Sequence, residues 1–587
     1  MSIKRFSRLL AGLAVTWAAC FTLHARKDER VREYISPERI VWTQEAERIS
    51  HPEYLLREGN GQADLTNSHI CVMKSSDTAH PAILLDFGKE LHGGLQIVTG
   101  MPGDHSPVRI RVRFGESVSE AMAESGSKGV TNDHAVRDFE MTVPWLGVRE
   151  TGNSGFRFVR IDLLDSNREL HLKEVRAISI YRDIPQRGSF SCSDERLNNI
   201  WATGARTVHL CMQDYLWDGI KRDRLVWMGD MHPEIMTISH VFGHTDVVQK
   251  SLDLARDITP LPNWMSGMYT YSLWWVVAQR DWYHFHGDME YLKQQREYLT
   301  GLLEILLGKV DEKGFETSGG GFLDWPSNAN KPAMKAGTQA LMMMVMKAGS
   351  ELCGYLGEKD MAKRCKDCHE RMVKAAPAVA EEYYKEAEAP GEPGSKQGTA
   401  LMVLAGMTDA QKADTQVLKT EGARGFSTFY GYYLLQAMAR AGDYEGAMEM
   451  IRTFWGAMLD LGATSFWEDF NIDWLKEDVA RIDELVPEGK KDIHGDFGAY
   501  CYVGFRHSLC HGWASGPTAW LSQHVLGIEV VEPGCKIVRI EPHLGNLEWA
   551  EGSFPTPYGE IRVSHKKDAK GRVITEVDAP EGVRIIK

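Results

Sequence analysis

Residues 272–309 read SLWWVVAQRDWYHF-HGD-MEYLKQQREYLTGLLEILLGK, and this stretch decides the fold. It holds two amphipathic helix-forming segments, Ser272–Phe285 and Met289–Lys309, separated by a short loop that contains a glycine and an aspartate. Because glycine commonly ends a helix and aspartate commonly begins one, the stretch predicts a helical hairpin. Similar segments recur along the chain, at Val247–Ile258, Gly337–Leu356, Lys359–Ala387, Gln397–Leu404, Phe429–Arg440 and Tyr444–Leu461.

This series of helices fills residues 190–525, and Asp194 is placed to cap the first of them. So many helices of similar length favour pairs closed into an (α/α)6 toroid over a four-helix bundle. The hairpins share no sequence motif, so the repetition is architectural only, and an open helical solenoid is the alternative.

Strand-like patterns flank the helices on both sides. Arg109–Phe114 and Phe156–Ile161 alternate with a period of two, which is typical of strands with one polar face. Residues 33–185 therefore predict an antiparallel β-sandwich, and residues 526–587 a small C-terminal β-domain. Glycines that punctuate the first region are expected to form turns, at Gly88, Gly93–Gly94, Gly115 and Gly155.

The N-terminus predicts export. Lys4, Arg5 and Arg8 precede a short apolar run over residues 9–23, which is the pattern of a signal peptide over residues 1–25. An alternative is a lipid anchor at Cys20, within the sequence WAAC. We expect a periplasmic or cell-surface protein, and no later stretch is long and apolar enough for a membrane helix.

Composition excludes some functions. The 587 residues carry a net charge of −14, which argues against nucleic acid as a partner because phosphates need a basic surface. Cys365-Lys-Asp-Cys368-His369 has the spacing of a c-type haem site, but it lies in a charged helix-forming segment, which favours a structural interpretation. No organised metal-ligand spacing is present, so we expect neither a cofactor nor a metal.

The densest group of reactive side chains is Trp217–Glu234, with the sequence WDGIKRDRLVWMGDMHPE. Its acids alternate with Lys221, Arg222 and Arg224, and the glycines indicate a loop. One interpretation is a surface loop of salt bridges. The other is a sugar-binding pocket, because an aromatic wall desolvates a neighbouring carboxyl and raises its pKa.

Three further loops repeat the combination of a polar side chain and a tryptophan, at Asp324-Trp325, Gly462–Phe470 and His511-Gly-Trp513. Glycoside hydrolysis needs two carboxyl groups, one to protonate the leaving oxygen and one to activate water. We therefore expect these loops and the loop around Asp223 to open on one face of the toroid.

Residues 218–230, DGIKRDRLVWMGD, resemble the catalytic loop of the family 78 glycoside hydrolases, the inverting α-L-rhamnosidases. Residues 463–468, ATSFWE, are similar to the family's Ala-Thr-Thr-x-Trp-Glu segment, and residues 508–513, SLCHGW, to its Ser-x-x-His element. Weaker similarities lie at residues 85–90 and 540–545. The resemblance covers nearly all of the chain after the signal peptide.

The resemblance implies a hydrolase that removes terminal α-L-rhamnose from a plant-type or microbial oligosaccharide or polysaccharide, without a cofactor. It places Asp223 as the general acid and Glu468 as the general base. The family's usual acid is glutamate, so Asp223 is one methylene shorter than expected. The substrate-binding residues, taken from the resemblance and from the neighbouring loops, are Asp218, Arg222, Trp227, Asp230, Asp324, Trp325, Trp467, His511 and Trp513.

Two other functions fit the same residues. A polysaccharide lyase on a toroid that eliminates rhamnose from a uronic acid would need a base and cations, which could come from Tyr269, Tyr271, His232, His511, Arg222 and Lys221. The second is a sugar-binding protein that kept the pocket and lost the acid.

Overall fold

The computed structural model describes residues 28–387 and 394–587. An N-terminal sheet region, a central helical region and small C-terminal sheets follow one another along the chain, which confirms the predicted fold class. The predicted signal peptide and Cys20 lie outside the described residues. Among the helices that are described, none combines the length and the apolar character needed to cross a membrane.

The N-terminal region is one ten-stranded sheet built around a long strand, β5 (Ala82–Thr99), and all of its strand pairs are antiparallel. The register of β5 against β9 shifts between Asp86 and Leu91, a bulge of the kind that bends a strand. The first half of β5 pairs with β2, and the second half with β8 and β10. The strands are β1 (Arg30–Ile35), β2 (Arg39–Gln44), β3 (Ile49–Ser50), β4 (Cys71–Lys74), β5 (Ala82–Thr99), β6 (Val108–Gly115), β7 (Asp138–Val143), β8 (Gly147–Glu150), β9 (Ser154–Leu163) and β10 (Glu169–Arg182); the short helix α1 (Val118–Met122) follows β6.

The turns predicted at Gly88, Gly93–Gly94 and Gly155 are wrong, because these glycines lie inside β5 and β9. A Cβ atom at Gly93 would lie 1.7 Å from the main-chain oxygen of Ile178 on the paired strand. Glycine is therefore needed there for a close approach of two backbones within the sheet, a role that sequence alone does not distinguish from a turn.

The helical region matches the predicted segments closely. Asp194 caps its first helix, as expected, by accepting a hydrogen bond from the Arg196 main-chain N–H at 2.9 Å. The helix predicted to begin at Gly337 begins earlier, at Lys331, because Asn330 provides the cap. The helices are α2 (Glu195–Cys211), α3 (Met231–Val241), α4 (Asp246–Asp257), α5 (Tyr269–His286), α6 (Met289–Leu307), α7 (Lys331–Leu356), α8 (Lys359–Ala387), α9 (Lys396–Leu404), α10 (Ala410–Ala413), α11 (Gly431–Arg440), α12 (Tyr444–Asp460) and α13 (Gly516–Trp520).

The helical region closes on itself, since α12 packs against α2. Arg196 on α2 pairs with Asp460 on α12 at 2.6 Å, and Arg452 on α12 pairs with the capping residue Asp194 at 2.6 Å. Contact between the first and last long helices is a property of a ring. The open solenoid is therefore excluded.

Two details of the helical region bear on the sequence analysis. Helix α3 begins at Met231, so the loop indicated by Gly219 and Gly229 ends at Asp230, and the last four residues of the cluster Trp217–Glu234 lie in the helix. Cys365 and Cys368 are buried within α8, and the His369 ring lies 3.0 Å from the main-chain oxygen of Met343 on α7. These contacts agree with the structural interpretation of the haem-like spacing.

The C-terminal region forms two small sheets, ordered β11-β16-β17-β18 and β14-β15-β19. Strand β11 precedes the helices in sequence and yet pairs with β16, so the start of the helical region is tied to the end of the chain. The strands are β11 (Ser189–Cys192), the short β12 (Val479–Ala480) and β13 (Lys491–Asp492) of a ring loop, β14 (Ile528–Glu532), β15 (Ile537–Ile540), β16 (Trp549–Thr556), β17 (Gly559–Lys567), β18 (Val573–Asp578) and β19 (Arg584–Ile586).

Candidate active site

A cavity of about 310 Å³ opens among the loops of the helical ring. This volume is at the lower end of the range for small-molecule sites. All but two of the predicted site residues line it, and they come from all four of the loops that the sequence indicated. The lining residues are Asp218, Arg222, Asp223, Trp227, Asp230, Ser266, Met268, Tyr271, Phe322, Trp325, Glu468, Cys501, Tyr502, His511 and Trp513.

Backbone contacts join the loop of residues 217–230 to the segment of residues 508–513. Gly219 forms a β-bridge with His511, and the Gly512 N–H donates to the main-chain oxygen of Asp218 at 2.8 Å. The Asp218 carboxylate accepts the Leu225 N–H at 2.9 Å, which closes the loop on itself. A main chain held in this way fixes the directions of the side chains that enter the cavity.

A buried ion cluster supports this loop from behind the cavity. The Lys221 ammonium lies 3.0 Å from Glu116 and 3.2 Å from Glu120, both carried by the sheet region. It also donates to the main-chain oxygens of Phe505 and His507. Burial lowers the pKa of Lys221 to about 8, despite the neighbouring Glu116. The sheet region therefore helps to hold the loop beside Arg222.

Arg222 is the centre of the site. One terminal nitrogen donates to Asp223 at 2.9 Å, and the other donates to Glu468. Its Nε donates to the main-chain oxygen of Arg506 at 3.1 Å, and its guanidinium lies over the Tyr502 ring. A planar guanidinium presents its donors in a fixed geometry, so the two carboxylates are held on opposite sides of one rigid group.

Glu468 is buried and tightly bound. One carboxylate oxygen binds Arg222 and the other accepts the Ser508 N–H at 3.1 Å. Burial alone would raise the pKa of Glu468, but the positive charges of Arg222 and His511 outweigh burial and lower it. Glu468 is therefore ionised at neutral pH, which is the state a general base needs.

Asp223 has more open surroundings. Its side chain is 17% exposed, compared with 2% for Glu468. The Trp227 indole donates to its second carboxylate oxygen at 3.2 Å, and its backbone is left-handed, with φ of 53°. His134 of the sheet region lies 3.3 Å from the carboxylate oxygen that binds Arg222.

Asp218 and Asp230 complete the acidic floor of the cavity. Burial raises the pKa of Asp218 well above its usual range, and it also raises the pKa of Asp230. Asp230 binds the His511 ring at 3.1 Å and accepts the Tyr271 hydroxyl at 3.2 Å. Burial opposes the charged form of His511, but Glu468 and Asp230 outweigh it and raise its pKa. The floor therefore offers polar groups that can orient sugar hydroxyls.

Aromatic side chains form the walls of the cavity. Trp227 and Tyr271 meet edge to face at 6.2 Å, and Phe322 packs against Trp325 at 5.2 Å. The Trp325 indole donates to the Tyr502 hydroxyl at 2.6 Å. Flat apolar faces around a polar floor suit a carbohydrate ring.

Two predicted residues do not line the cavity. Trp467 is buried and packs against Phe470 at 5.7 Å, away from the cavity that its neighbour Glu468 reaches. Asp324 lies behind Trp325. Its carboxylate accepts hydrogen bonds from the Trp325 main-chain N–H, at 2.8 Å, and from the Ser427 hydroxyl. Adjacent side chains in an extended segment point to opposite sides. In the pairs Trp467-Glu468 and Asp324-Trp325, only one side chain therefore enters the cavity.

Several residues in or beside the cavity were not predicted from the sequence, among them Phe322, Tyr502 and His134. Two of them had a signal in the sequence. Phe322 lies two residues before the Asp324-Trp325 pair, and Tyr502 lies two residues after another aromatic residue, Tyr500. No local pattern pointed to His134, because only the packing of the sheet region on the ring brings it to Asp223. Tyr271, considered above only as a lyase base, lines the cavity.

Comparison with known families gives two matches. Residues 185–525 match the bacterial α-L-rhamnosidase six-hairpin glycosidase domain, and residues 527–586 match the bacterial α-L-rhamnosidase C-terminal domain. The chain belongs to the bacterial α-L-rhamnosidase family. The first match covers the helical ring, together with every loop that lines the cavity.

Members of this family match most of the chain in sequence or in fold. An α-L-rhamnosidase of Alteromonas sp. (strain LOR) is 24% identical over an alignment of 532 residues, which covers 83% of this chain and 54% of the relative. The chain spans about half the length of the curated relatives it matches. A family 78 rhamnosidase of Bacillus sp. GL1 has a similar fold, with a TM-score of 0.73, 21% identity and coverage of 91% of this chain and 55% of the other. A Klebsiella oxytoca rhamnosidase with rhamnose bound has a TM-score of 0.64 at 20% identity, covering 84% of this chain and 96% of the other.

Proposed function

We propose that this protein hydrolyses the bond of a terminal α-L-rhamnosyl unit, with inversion at the anomeric carbon. The observation that carries the proposal is the pair Asp223 and Glu468, bound to the two terminal nitrogens of Arg222 beside a cavity of sugar-binding size. Membership of the rhamnosidase family supports rhamnose as the sugar.

Glu468 is the proposed general base. Its lowered pKa keeps it ionised, so it can take a proton from a water molecule as that water attacks the anomeric carbon. The Ser508 N–H and Arg222 hold its two oxygens and so fix the direction of attack. Because the carboxylate is buried, little reorganisation is needed during the reaction.

Asp223 is the proposed general acid. In its protonated form it donates to the glycosidic oxygen while the bond to the anomeric carbon lengthens. An inverting pair is separated by about 6.5–9.5 Å, which leaves room for the water. Because aspartate is one methylene shorter than glutamate, its presence alone would predict the wide end of that range. In this structure both carboxylates bind terminal nitrogens of one guanidinium, so they lie closer together than that.

The natural substrate is proposed to be a plant-type or microbial glycan, met in the periplasm or at the cell surface. The basic and apolar N-terminus supports export. The aromatic walls support a carbohydrate on the leaving-group side as well as rhamnose in the cavity.

The contacts of the tyrosines argue against a lyase. A lyase base must give up its own proton first, but burial raises the pKa of Tyr271 well above its usual range, and its hydroxyl donates to Asp230. Tyr269 donates to Glu316 in the same way. His232 is bound on both ring nitrogens, by Tyr433 and Asp281, and does not line the cavity.

Product analysis on a rhamnosylated oligosaccharide tests the proposal. Hydrolysis predicts free rhamnose together with a saturated partner sugar. A product that absorbs in the ultraviolet would instead indicate an unsaturated uronate and a lyase. No turnover of any rhamnosylated substrate would favour a sugar-binding protein. The Glu468→Gln variant, purified in parallel, controls for contaminating hydrolases.

A further inference from the structure

The sheet region contributes a side chain to the proposed acid. His134 lies between α1 and β7, and its Nε2 is 3.3 Å from a carboxylate oxygen of Asp223 on the helical ring. Its side chain is 29% exposed and that of Asp223 is 17% exposed, so the imidazole is in contact with solvent as well as with the carboxyl. A group in this place can connect Asp223 to solvent.

The described contacts of Asp223 separate into two kinds. Arg222 and Trp227 donate hydrogen bonds to it, but a guanidinium does not release its proton in proteins and an indole N–H is a donor only. His134 is the only one of these described partners with a side chain that can both accept and donate a proton, because imidazole has two ring nitrogens. Of these three described partners, only His134 can therefore exchange a proton with Asp223.

The loop that carries His134 is fixed to the ring. The Phe505 N–H donates to the main-chain oxygen of Lys128 at 2.7 Å, and the Lys128 ammonium pairs with Asp496 at 2.5 Å. Arg506 pairs with Asp133, next to His134. Two ion pairs and a backbone hydrogen bond, all from residues that precede His134, therefore hold this loop on the ring.

The charged groups that face His134 come from both regions. Asp223 and Arg506 lie on the ring, and Asp133 lies 3.7 Å from the His134 Nε2 on the sheet-region loop. The Arg506 guanidinium lies 3.4 Å from the same nitrogen, so neutral His134 accepts a hydrogen bond from Arg506 there, whereas the imidazolium presents an N–H to Asp223. Arg222 binds the same carboxylate oxygen of Asp223. Two guanidinium groups and two carboxylates thus surround the imidazole.

We propose that His134 is a proton relay that reprotonates Asp223 in each catalytic cycle, an inference that rests on the proposed hydrolysis. Asp223 gives its proton to the leaving oxygen, and the bond from that oxygen to the anomeric carbon breaks. The imidazolium of His134 then gives its Nε2 proton to the Asp223 carboxylate and becomes neutral. His134 takes a new proton from solvent, and the proton that Glu468 took from water returns to solvent, so the cycle balances.

The relay would supply Asp223 with a proton while the cavity is occupied. When a sugar fills the cavity, it covers the side of Asp223 that faces the glycosidic bond, and the imidazole touches the carboxyl from outside. A proton delivered there restores the acid without a path through the occupied cavity.

The test compares two substrates in the full-length protein, one with a poor alkyl leaving group and one with an activated aryl leaving group. The relay predicts that His134→Gln, which keeps an N–H donor beside Asp223, lowers kcat for the alkyl substrate by about 10²-fold and that for the aryl substrate by at most about twofold. In His134→Ala, added imidazole should restore the alkyl rate as its concentration rises. His51→Asn, an exposed histidine of the same region, is the matched control and should behave as wild type.

Each outcome decides the proposal. An equal loss on both substrates, or a lack of rescue by imidazole, would mean that His134 only shapes the site, and the relay would be rejected. An unchanged alkyl rate in His134→Gln would reject it as well. Wild-type protein that turned over neither substrate would instead refute the proposed function and the relay with it, so the two failures are distinguishable. Melting temperatures of both variants identify loss by unfolding.

Discussion

The two sides of Arg222 differ in how they hold a carboxylate. On one side, Glu468 is buried, and Arg222 and the Ser508 main-chain N–H bind its two oxygens. On the other side, the loop of residues 218–230 leaves Asp223 partly exposed on a left-handed backbone. One guanidinium thus separates a fixed, ionised group from a more open one.

This difference matches the two tasks of a hydrolase. A base must be ionised and aimed at one water molecule, which burial beside a cation achieves. An acid must be protonated again in each cycle, so contact with solvent or with a proton carrier is useful. The left-handed backbone also bears on the shorter acid, because aspartate is enriched at positive φ relative to most side chains. The aspartate and its backbone therefore fit each other.

Glu468→Gln should have the largest effect. The amide cannot take a proton, so turnover should fall by about 10⁴-fold for alkyl and aryl leaving groups alike, the upper end for a general base. Steady-state rates on both substrates measure this. A loss confined to the alkyl substrate would contradict the account, since it would make Glu468 the acid.

Asp223→Asn should affect the two substrates unequally. Removing the proton donor should lower the rate on the alkyl substrate by about 10²-fold, while the aryl substrate needs little protonation and should lose much less. An unaffected alkyl rate would show that Asp223 is not the acid and would move attention to Asp230 or Glu234.

Asp223→Glu is the companion variant. We expect it to lower the alkyl rate, because Arg222, Trp227 and the left-handed backbone fit the shorter side chain. A rate above wild type would contradict this and would show a site weakened by its short acid.

Variants of Trp325 and Trp467 distinguish a tryptophan of the cavity wall from a tryptophan of the core. Trp325→Ala should raise KM by about tenfold through lost stacking on the sugar, by analogy with aromatic contacts worth about 1.5 kcal/mol. Trp467→Phe should leave KM unchanged and lower the melting temperature, because Trp467 is buried outside the cavity. A raised KM for Trp467→Phe at normal stability would return this residue to the substrate site.

Asp324→Asn should have the smallest effect on turnover, because Asp324 does not line the cavity, and its effect should be on stability alone. Burial raises its pKa to about 7, opposed by the Ser427 hydroxyl, whereas its ordinary value is 3.8. Because the folded pKa is the higher one, the stability it contributes is complete below about pH 4 and is lost as pH rises through about 7. Asp324→Asn mimics the neutral acid, so at pH 8 it should be more stable than wild type by up to about 4 kcal/mol. The two proteins should have similar melting temperatures at pH 5. Equal melting temperatures of wild type and Asp324→Asn at pH 8 as well would contradict this.

Particular residues show how far the sequence could predict the structure. Helical periodicity located the ring well, because a repeating apolar face is a local property of the chain. Gly93 was misassigned, because a glycine that permits close strand approach and a glycine in a turn look alike in sequence. Trp467 was misassigned, because a shared motif does not say which neighbour faces the cavity.

His134 lay beyond any local pattern. It reaches Asp223 only because the sheet region packs on the ring through contacts such as Lys128 with Asp496 and Arg506 with Asp133. Partners so distant in sequence leave no signal in a single chain. The roles of Asp223 and Glu468 themselves came from the family resemblance and stay predictions.

The stereochemistry of the first-formed sugar tests the central claim most directly. Proton NMR of the anomeric signals, recorded during rapid hydrolysis of an aryl α-L-rhamnoside, distinguishes the two anomers before they interconvert. The pairing of Asp223 as acid with Glu468 as base predicts that β-L-rhamnose appears first and that the α anomer grows in later by mutarotation. Initial release of α-L-rhamnose would contradict the account, because retention requires a carboxylate that attacks the sugar instead of activating water.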